Sequence, residues 1–159
     1  MSIKEGDKLP DATLFMMEEG KPTPKTTQDL FGGKKVVVFA VPGAYTPTCS
    51  QAHLPGYVVN ADAIKAKGGD SIVCISVNDA FVMESWGTDK NADEIMMVGD
   101  GNGQFTSAIG LEMDGSGFGL GTRSQRYAMI GDDGVVSTLS VEDPGQFEVS
   151  KAEAILEVL

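Results

Sequence analysis

The chain has 159 residues, 42% of them hydrophobic, and a formal net charge of −11. Its length fits one domain spanning residues 1–159, and its acidity argues against a nucleic-acid partner, whose phosphates call for basic contacts. No apolar run approaches the roughly 20 residues of a membrane-spanning helix, so no membrane segment is expected.

Met1-Ser2-Ile3-Lys4-Glu5-Gly6-Asp7 carries mixed charge and no apolar stretch. It does not read as a signal peptide, and a cytoplasmic location is the expectation. After an N-terminal extension, Val36–Val41 is a near-continuous apolar run, the pattern of a strand buried on both faces. Leu54, Val58, Ala61 and Ile64 then form a helical stripe across Leu54–Lys67, stopped by Gly68-Gly69. Ser71–Val77 is a second buried strand. Asp79 is placed to cap a helix through Phe81–Trp86, and Glu94–Val98 reads as a third strand. Asn102 is placed to cap a helix through Phe105–Ile109, ended by Gly110. Arg126–Ile130 and Val135–Leu139 flank Gly131-Asp132-Asp133-Gly134, a turn signal that predicts an antiparallel hairpin. Ser150–Leu159 places Ala154, Ile155, Val158 and Leu159 on one side of a final amphipathic helix. The order predicts an α/β fold with a central mixed sheet, parallel first and hairpin-ended, flanked by helices. A thioredoxin-like fold is the leading candidate.

The segment Val41-Pro42-Gly43-Ala44-Tyr45-Thr46-Pro47-Thr48-Cys49-Ser50 follows a buried strand and opens a helix. Thr46 suits the N-cap, and Pro47 suits the first helical position, where its missing N–H is not needed. Cys49 is then the third helical residue, with its sulfur among unpaired N–H groups at the positive end of the helix dipole. Such a site favours the thiolate, the reactive form. Cys74 sits mid-strand in Ile72-Val73-Cys74-Ile75 and reads as a buried structural thiol. The two cysteines lie 25 positions apart, too far for a Cys-x-x-Cys pair, and with the single histidine, His53, they supply no zinc quartet. No metal site and no cofactor are expected.

Pro42-x-x-x-Thr46-x-x-Cys49 has the spacing of the peroxiredoxin signature. The longer string from Val41 through Cys49, His53, Leu54 and Pro55 to Gly56 resembles the type II, peroxiredoxin-five-like branch. Ser76–Val82 and Arg123-Ser124-Gln125-Arg126-Tyr127 are also similar to that branch, so the resemblance runs over nearly the whole chain. It implies a thiol-dependent peroxidase acting on hydrogen peroxide and alkyl hydroperoxides. By motif match, Cys49 attacks the O–O bond and becomes a sulfenic acid. Thr46 offers its hydroxyl to the thiolate and the peroxide oxygens, Pro42 shields the sulfur, and Arg126 is the family arginine. Arg123 either adds a second positive contact or is a surface charge. His53, four positions after Cys49, reads as a packing or hydrogen-bonding residue, since the family requires no base there. Pro55 is expected to break or kink the helix just after it, making the Cys49 turn a separable element.

Magnitudes assign the arginine its role. An ordinary thiol of pKa about 8.5 is already a few per cent ionised near neutrality, so lowering that value to roughly 6 gains some tens of fold at most. Donors aimed at the breaking O–O bond are worth about 3–4 kcal/mol when well placed. Thr46 and Arg126 are therefore expected to act mainly by binding and polarising the peroxide.

Some type II relatives carry a resolving cysteine late in the chain; Phe147-Glu148-Val149-Ser150-Lys151 has none. Cys74 matches a second cysteine of plant and bacterial members, a candidate resolving thiol, but mid-strand it would lie beyond the ~7 Å reach of a disulfide. An external thiol is the expected reductant, glutathione with glutaredoxin or thioredoxin. The rival reading is a thioredoxin-fold peroxide sensor, or redox-signalling binding protein, that uses the same cysteine without rapid turnover. The resemblance also implies a homodimer through the face carrying the active-site turn, recruiting Tyr45, Phe81 and Phe118 unless these are core.

Overall fold

The computed structural model describes residues 2–159. Among these residues, nine strands and five α-helices alternate as β1 (Thr13–Glu18), β2 (Lys21–Thr26), α1 (Thr27–Phe31), β3 (Lys35–Ala40), α2 (Leu54–Ala66), β4 (Ser71–Ser76), α3 (Ala80–Asp89), β5 (Met96–Gly99), α4 (Gln104–Ala108), β6 (Glu112–Asp114), β7 (Thr122–Ser124), β8 (Tyr127–Asp132), β9 (Val135–Val141) and α5 (Ala152–Val158). Seven strands form one mixed sheet in the order β2-β1-β5-β4-β3-β8-β9, and β6 pairs with β7 in a separate ribbon. The centre is parallel, β3 with β4 and β4 with β5, whereas β8 and β9 add antiparallel. This is the expected thioredoxin-like arrangement.

Alternation along β3 and β4 divides the interior into two cores. Val37, Phe39 and Cys74 pack with Leu54, Tyr57, Ile64, Met83, Trp86 and Ile155 on the face covered by α2, α3 and α5. Val36, Val38, Val73 and Ile75 pack with Leu30, Phe31, Phe105 and Ile109 on the opposite face. Strands buried on both faces need apolar residues at every position, which is why these runs do not alternate with polar ones. The predicted hairpin is present: Asp132 pairs with Val135 across Asp133-Gly134, both at positive φ (48° and 80°), the backbone of a two-residue type I′ turn.

One element goes beyond the sequence reading, and one local expectation needs correction. The N-terminal extension contains a β1–β2 hairpin, closed by Glu19-Gly20 at positive φ. Pro22 and Pro24 hide it in the sequence, and they are tolerated because β2 is an edge strand. The cap of α4 is Asp100, not Asn102. Asp100 is buried and accepts from the N–H groups of Phe105 (3.2 Å) and Thr106 (2.8 Å) and from the Thr106 hydroxyl (2.7 Å), while Gly103 takes the N-cap position at φ 69°. Asp79 caps α3 as predicted, accepting from Val82 N–H at 2.8 Å.

Candidate active site

The chain leaves β3 at Ala40 and enters a helix at Pro47. Thr46 occupies the N-cap position and Cys49 the third helical position, as the sequence predicts. Pro55 does not break this helix. The helical path continues from 47 to 66, and Cys49–His53 widens into a π-helical turn in which Leu54 N–H donates to Cys49 C=O. Proline has no N–H to give, and its ring crowds the carbonyl four residues back; a wider turn relieves both.

Cys49 is fully buried. Its sulfur accepts a hydrogen bond from Arg126 Nη2 at 3.1 Å. Tyr127 pairs with Ala40, so Arg126 lies beside the point where β3 gives way to the loop carrying the cysteine. The strand order thus brings together residues 77 positions apart. The other guanidinium nitrogen, Nη1, donates to His53 Nδ1 at 2.8 Å. A guanidinium has no acceptor, so Nδ1 bears no proton and Nε2 does. Nε2 accordingly donates to the Ser150 carbonyl at 3.0 Å, an oxygen that also accepts from Tyr57 OH at 2.8 Å. Phe147 stands edge-on to the His53 ring, with the Arg126 guanidinium carbon 5.8 Å from its centroid.

His53 is therefore a hydrogen-bonding residue, as expected, and a neutral one. Burial, with the Arg126 charge beside it, pushes its pKa down to about 3. Glu142 anchors the far end. Burial alone would raise its pKa, but hydrogen bonds from the Ser150 hydroxyl (2.7 Å), Ser150 N–H (2.8 Å) and Glu148 N–H (2.7 Å) outweigh it and hold the carboxyl below the usual range. Its own N–H donates to Arg126 C=O at 2.9 Å. Sequence reading missed Glu142, Ser150 and Tyr57: a lone glutamate after a strand carries no pattern, and a backbone carbonyl carries no side-chain signal at all.

The other expected residues divide. Thr46 lies in the right place, but its hydroxyl donates to Gly43 C=O at 2.7 Å rather than to the sulfur, because the 43–46 turn brings that carbonyl within reach. What remains free on Oγ1 is acceptor capacity. Arg123 is neither a second contact to the sulfur nor a loose surface charge; it donates to the carbonyls of Pro42 (3.2 Å) and Leu120 (2.9 Å) and braces the loop. Pro42, Thr48 and Arg126 line a groove of about 530 Å³, together with apolar Met113, Phe118, Leu120 and Pro144. Cys74 is fully buried in β4 among the same core residues as Cys49, and desolvation raises its thiol pKa, with the nearby Cys49 adding to the rise. Both cysteines are free thiols. Tyr45, Phe81 and Phe118 are exposed (47%, 59% and 89%) and are not core residues.

Comparison with known proteins shows what the whole chain is similar to. The Redoxin family matches residues 4–156. Chloroplastic Peroxiredoxin-2E of Arabidopsis thaliana is 52% identical over 99% of this chain and 70% of its own length. Peroxiredoxin-2B of the same plant is 45% identical over 99% and 98%. The crystal structure of reduced Prx3 from Vibrio vulnificus, in complex with hydrogen peroxide, superimposes with a TM-score of 0.95 at 60% identity, covering 98% of both chains.

Proposed function

Because this chain belongs to the Redoxin family as a thiol-dependent peroxidase of the type II peroxiredoxin kind, we propose that its chemistry is divided among Cys49, Arg126, Thr46 and Pro42. The Arg126 Nη2 contact with Cys49 Sγ carries this reading. Cys49 sulfur attacks one oxygen of the hydroperoxide and the O–O bond breaks. The sulfur becomes a sulfenic acid, and the departing oxygen takes a proton to leave as water or an alcohol. Arg126, one nitrogen already against the sulfur, donates to the peroxide oxygens as charge moves onto them. Thr46 Oγ1, its proton committed to Gly43, accepts from the hydroperoxide O–H. Pro42 covers the site at the head of the groove. The Vibrio relative holding hydrogen peroxide supports a peroxide of that size as substrate.

Two thiol equivalents then restore the enzyme. One attacks the sulfenic sulfur and releases water, leaving a mixed disulfide; a second displaces it. We assign these thiols to an external donor, glutathione with glutaredoxin or thioredoxin. Burial holds Cys74 as a protonated thiol, a poor nucleophile. The exposed aromatics Tyr45, Phe81 and Phe118 favour a homodimer through this face.

Non-reducing mass spectrometry after one equivalent of hydrogen peroxide tests both steps. One oxygen on Cys49, converted to a glutathione adduct on adding that thiol, is the expected result. A high yield of Cys49–Cys74 disulfide would overturn the external-thiol assignment, and unmodified Cys49 the peroxidase chemistry itself.

A further inference from the structure

The Arg126 guanidinium is a rigid planar fork: fixing one nitrogen fixes the direction of the other. Nη2 faces Cys49 Sγ and Nη1 faces His53 Nδ1. The imidazole is itself held at both ends. Nε2 donates to the Ser150 carbonyl, and that carbonyl is kept in place by Tyr57 OH and by the hydrogen bonds from Ser150 to the Glu142 carboxylate. Phe39 and Phe147, with ring centroids 5.0 Å from that of His53, restrict rotation of the imidazole. The donor-only guanidinium and the acceptor-only carbonyl each demand the same tautomer, so no other arrangement of protons satisfies both.

We propose that His53 is a positioning residue, whose Nδ1 acceptor aims the Arg126 guanidinium at Cys49 and at the peroxide bound there. This rests on the role given to Arg126 above. Without that acceptor, Arg126 keeps its charge but loses its direction, and it turns towards the open groove that it already lines. His53 touches neither sulfur nor peroxide in this scheme; it acts only through Arg126.

The test is a set of three substitutions read by stopped-flow oxidation with hydrogen peroxide. Trp86 is the natural reporter, since it is the single tryptophan and its Nε1–H donates to Ser50, next to Cys49, at 3.1 Å. His53→Leu removes the acceptor while Tyr57 still satisfies the Ser150 carbonyl. It should slow oxidation by roughly 10- to 100-fold, the worth of one hydrogen bond to a charged group. His53→Asn, whose Oδ1 replaces Nδ1, should return the rate to within about threefold of wild type, as expected when the acceptor itself is what matters. In an Arg126→Ala background, His53→Leu should cost less than about twofold, because coupled residues do not add. An equal loss from His53→Leu in both backgrounds, or an Asn variant as slow as the Leu variant, would show a packing role and overturn the proposal. A wild-type rate for His53→Leu would overturn it too. Arg126→Ala at the wild-type rate would overturn the role of Arg126 along with it.

Discussion

Acidification should destabilise the wild-type protein more than its His53→Asn variant. His53 is neutral in the folded state with a pKa of about 3, against 6.5 for an unperturbed histidine. Between those values the unfolded chain binds a proton that the folded chain does not, so stability falls as pH falls. The slope is about 1.4 kcal/mol per pH unit, and the wild type has lost about 2.7 kcal/mol by about pH 4.5. Glu142 pulls in the same direction, because its folded pKa is also lowered and its hydrogen bonds are lost on protonation. That contribution is common to both proteins and cancels in their difference. Urea unfolding of the reduced enzymes, followed by Trp86 fluorescence at several pH values from about 7.5 to about 4.5, reads the difference directly. The gap between wild type and variant should change by about 2.7 kcal/mol in favour of the variant over that range. A gap independent of pH would mean that His53 does not hold off its proton in the folded protein, and the tautomer assigned from the Arg126 and Ser150 contacts would be wrong.

Other substitutions test separate parts of the structure. At pH about 9, where an ordinary thiol is mostly ionised, Arg126→Ala should remain about 100-fold or more slower than wild type in Cys49 oxidation; full recovery would mean that the arginine only ionises the sulfur. Gly99→Ala should cost about 2–3 kcal/mol in urea unfolding, since its Cβ would lie 2.6 Å from Asn78 O and 2.9 Å from Ala80 N, backbone atoms with little freedom to yield; an unchanged midpoint would contradict that packing. Cys74→Ser should lower stability by about 1–3 kcal/mol by burying a hydroxyl, yet leave peroxide turnover with an external thiol intact. Loss of turnover in that variant would make Cys74 the resolving thiol after all.

Strong local patterns were legible in the sequence, and contacts between distant elements were not. The apolar runs of β3 and β4, the Asp79 cap and the Asp133-Gly134 turn each follow from a few adjacent residues whose physics permits one outcome. The same holds for Thr46-Pro47-Thr48-Cys49, where a cap position, a proline and a cysteine define the helix start. The family resemblance supplied Arg126; no spacing rule joins it to Cys49, and only the pairing of β3 with β8 does so. Asp100 was overlooked because a cap four residues before its helix competes with a nearer asparagine that looks equally able. The β2 strand was overlooked because two prolines count against any strand until the sheet shows it at an edge. The proton on Thr46 depended on a carbonyl three residues away, a matter of turn geometry that residue type does not encode.

A sulfur with no exposed surface has to serve two reactions of very different steric demand. A hydroperoxide group is small and can enter between Pro42, Thr46 and Arg126, each only partly buried. The external thiol proposed above to reduce the sulfenic acid, a tripeptide or a protein, is too large to follow the same path. On that assignment, the turn bearing Cys49 has to open between the two steps. The wide Cys49–His53 turn is closed by Leu54 N–H on the Cys49 carbonyl, and Pro55, the next residue, has no N–H to add to it. Opening its Cys49 end separates the sulfur from Arg126, whose Nη1 faces His53 at the other end of the same turn. His53 is tied in turn to the Ser150 carbonyl, so the closed turn sets the direction of the guanidinium and the 3.1 Å contact with the sulfur together.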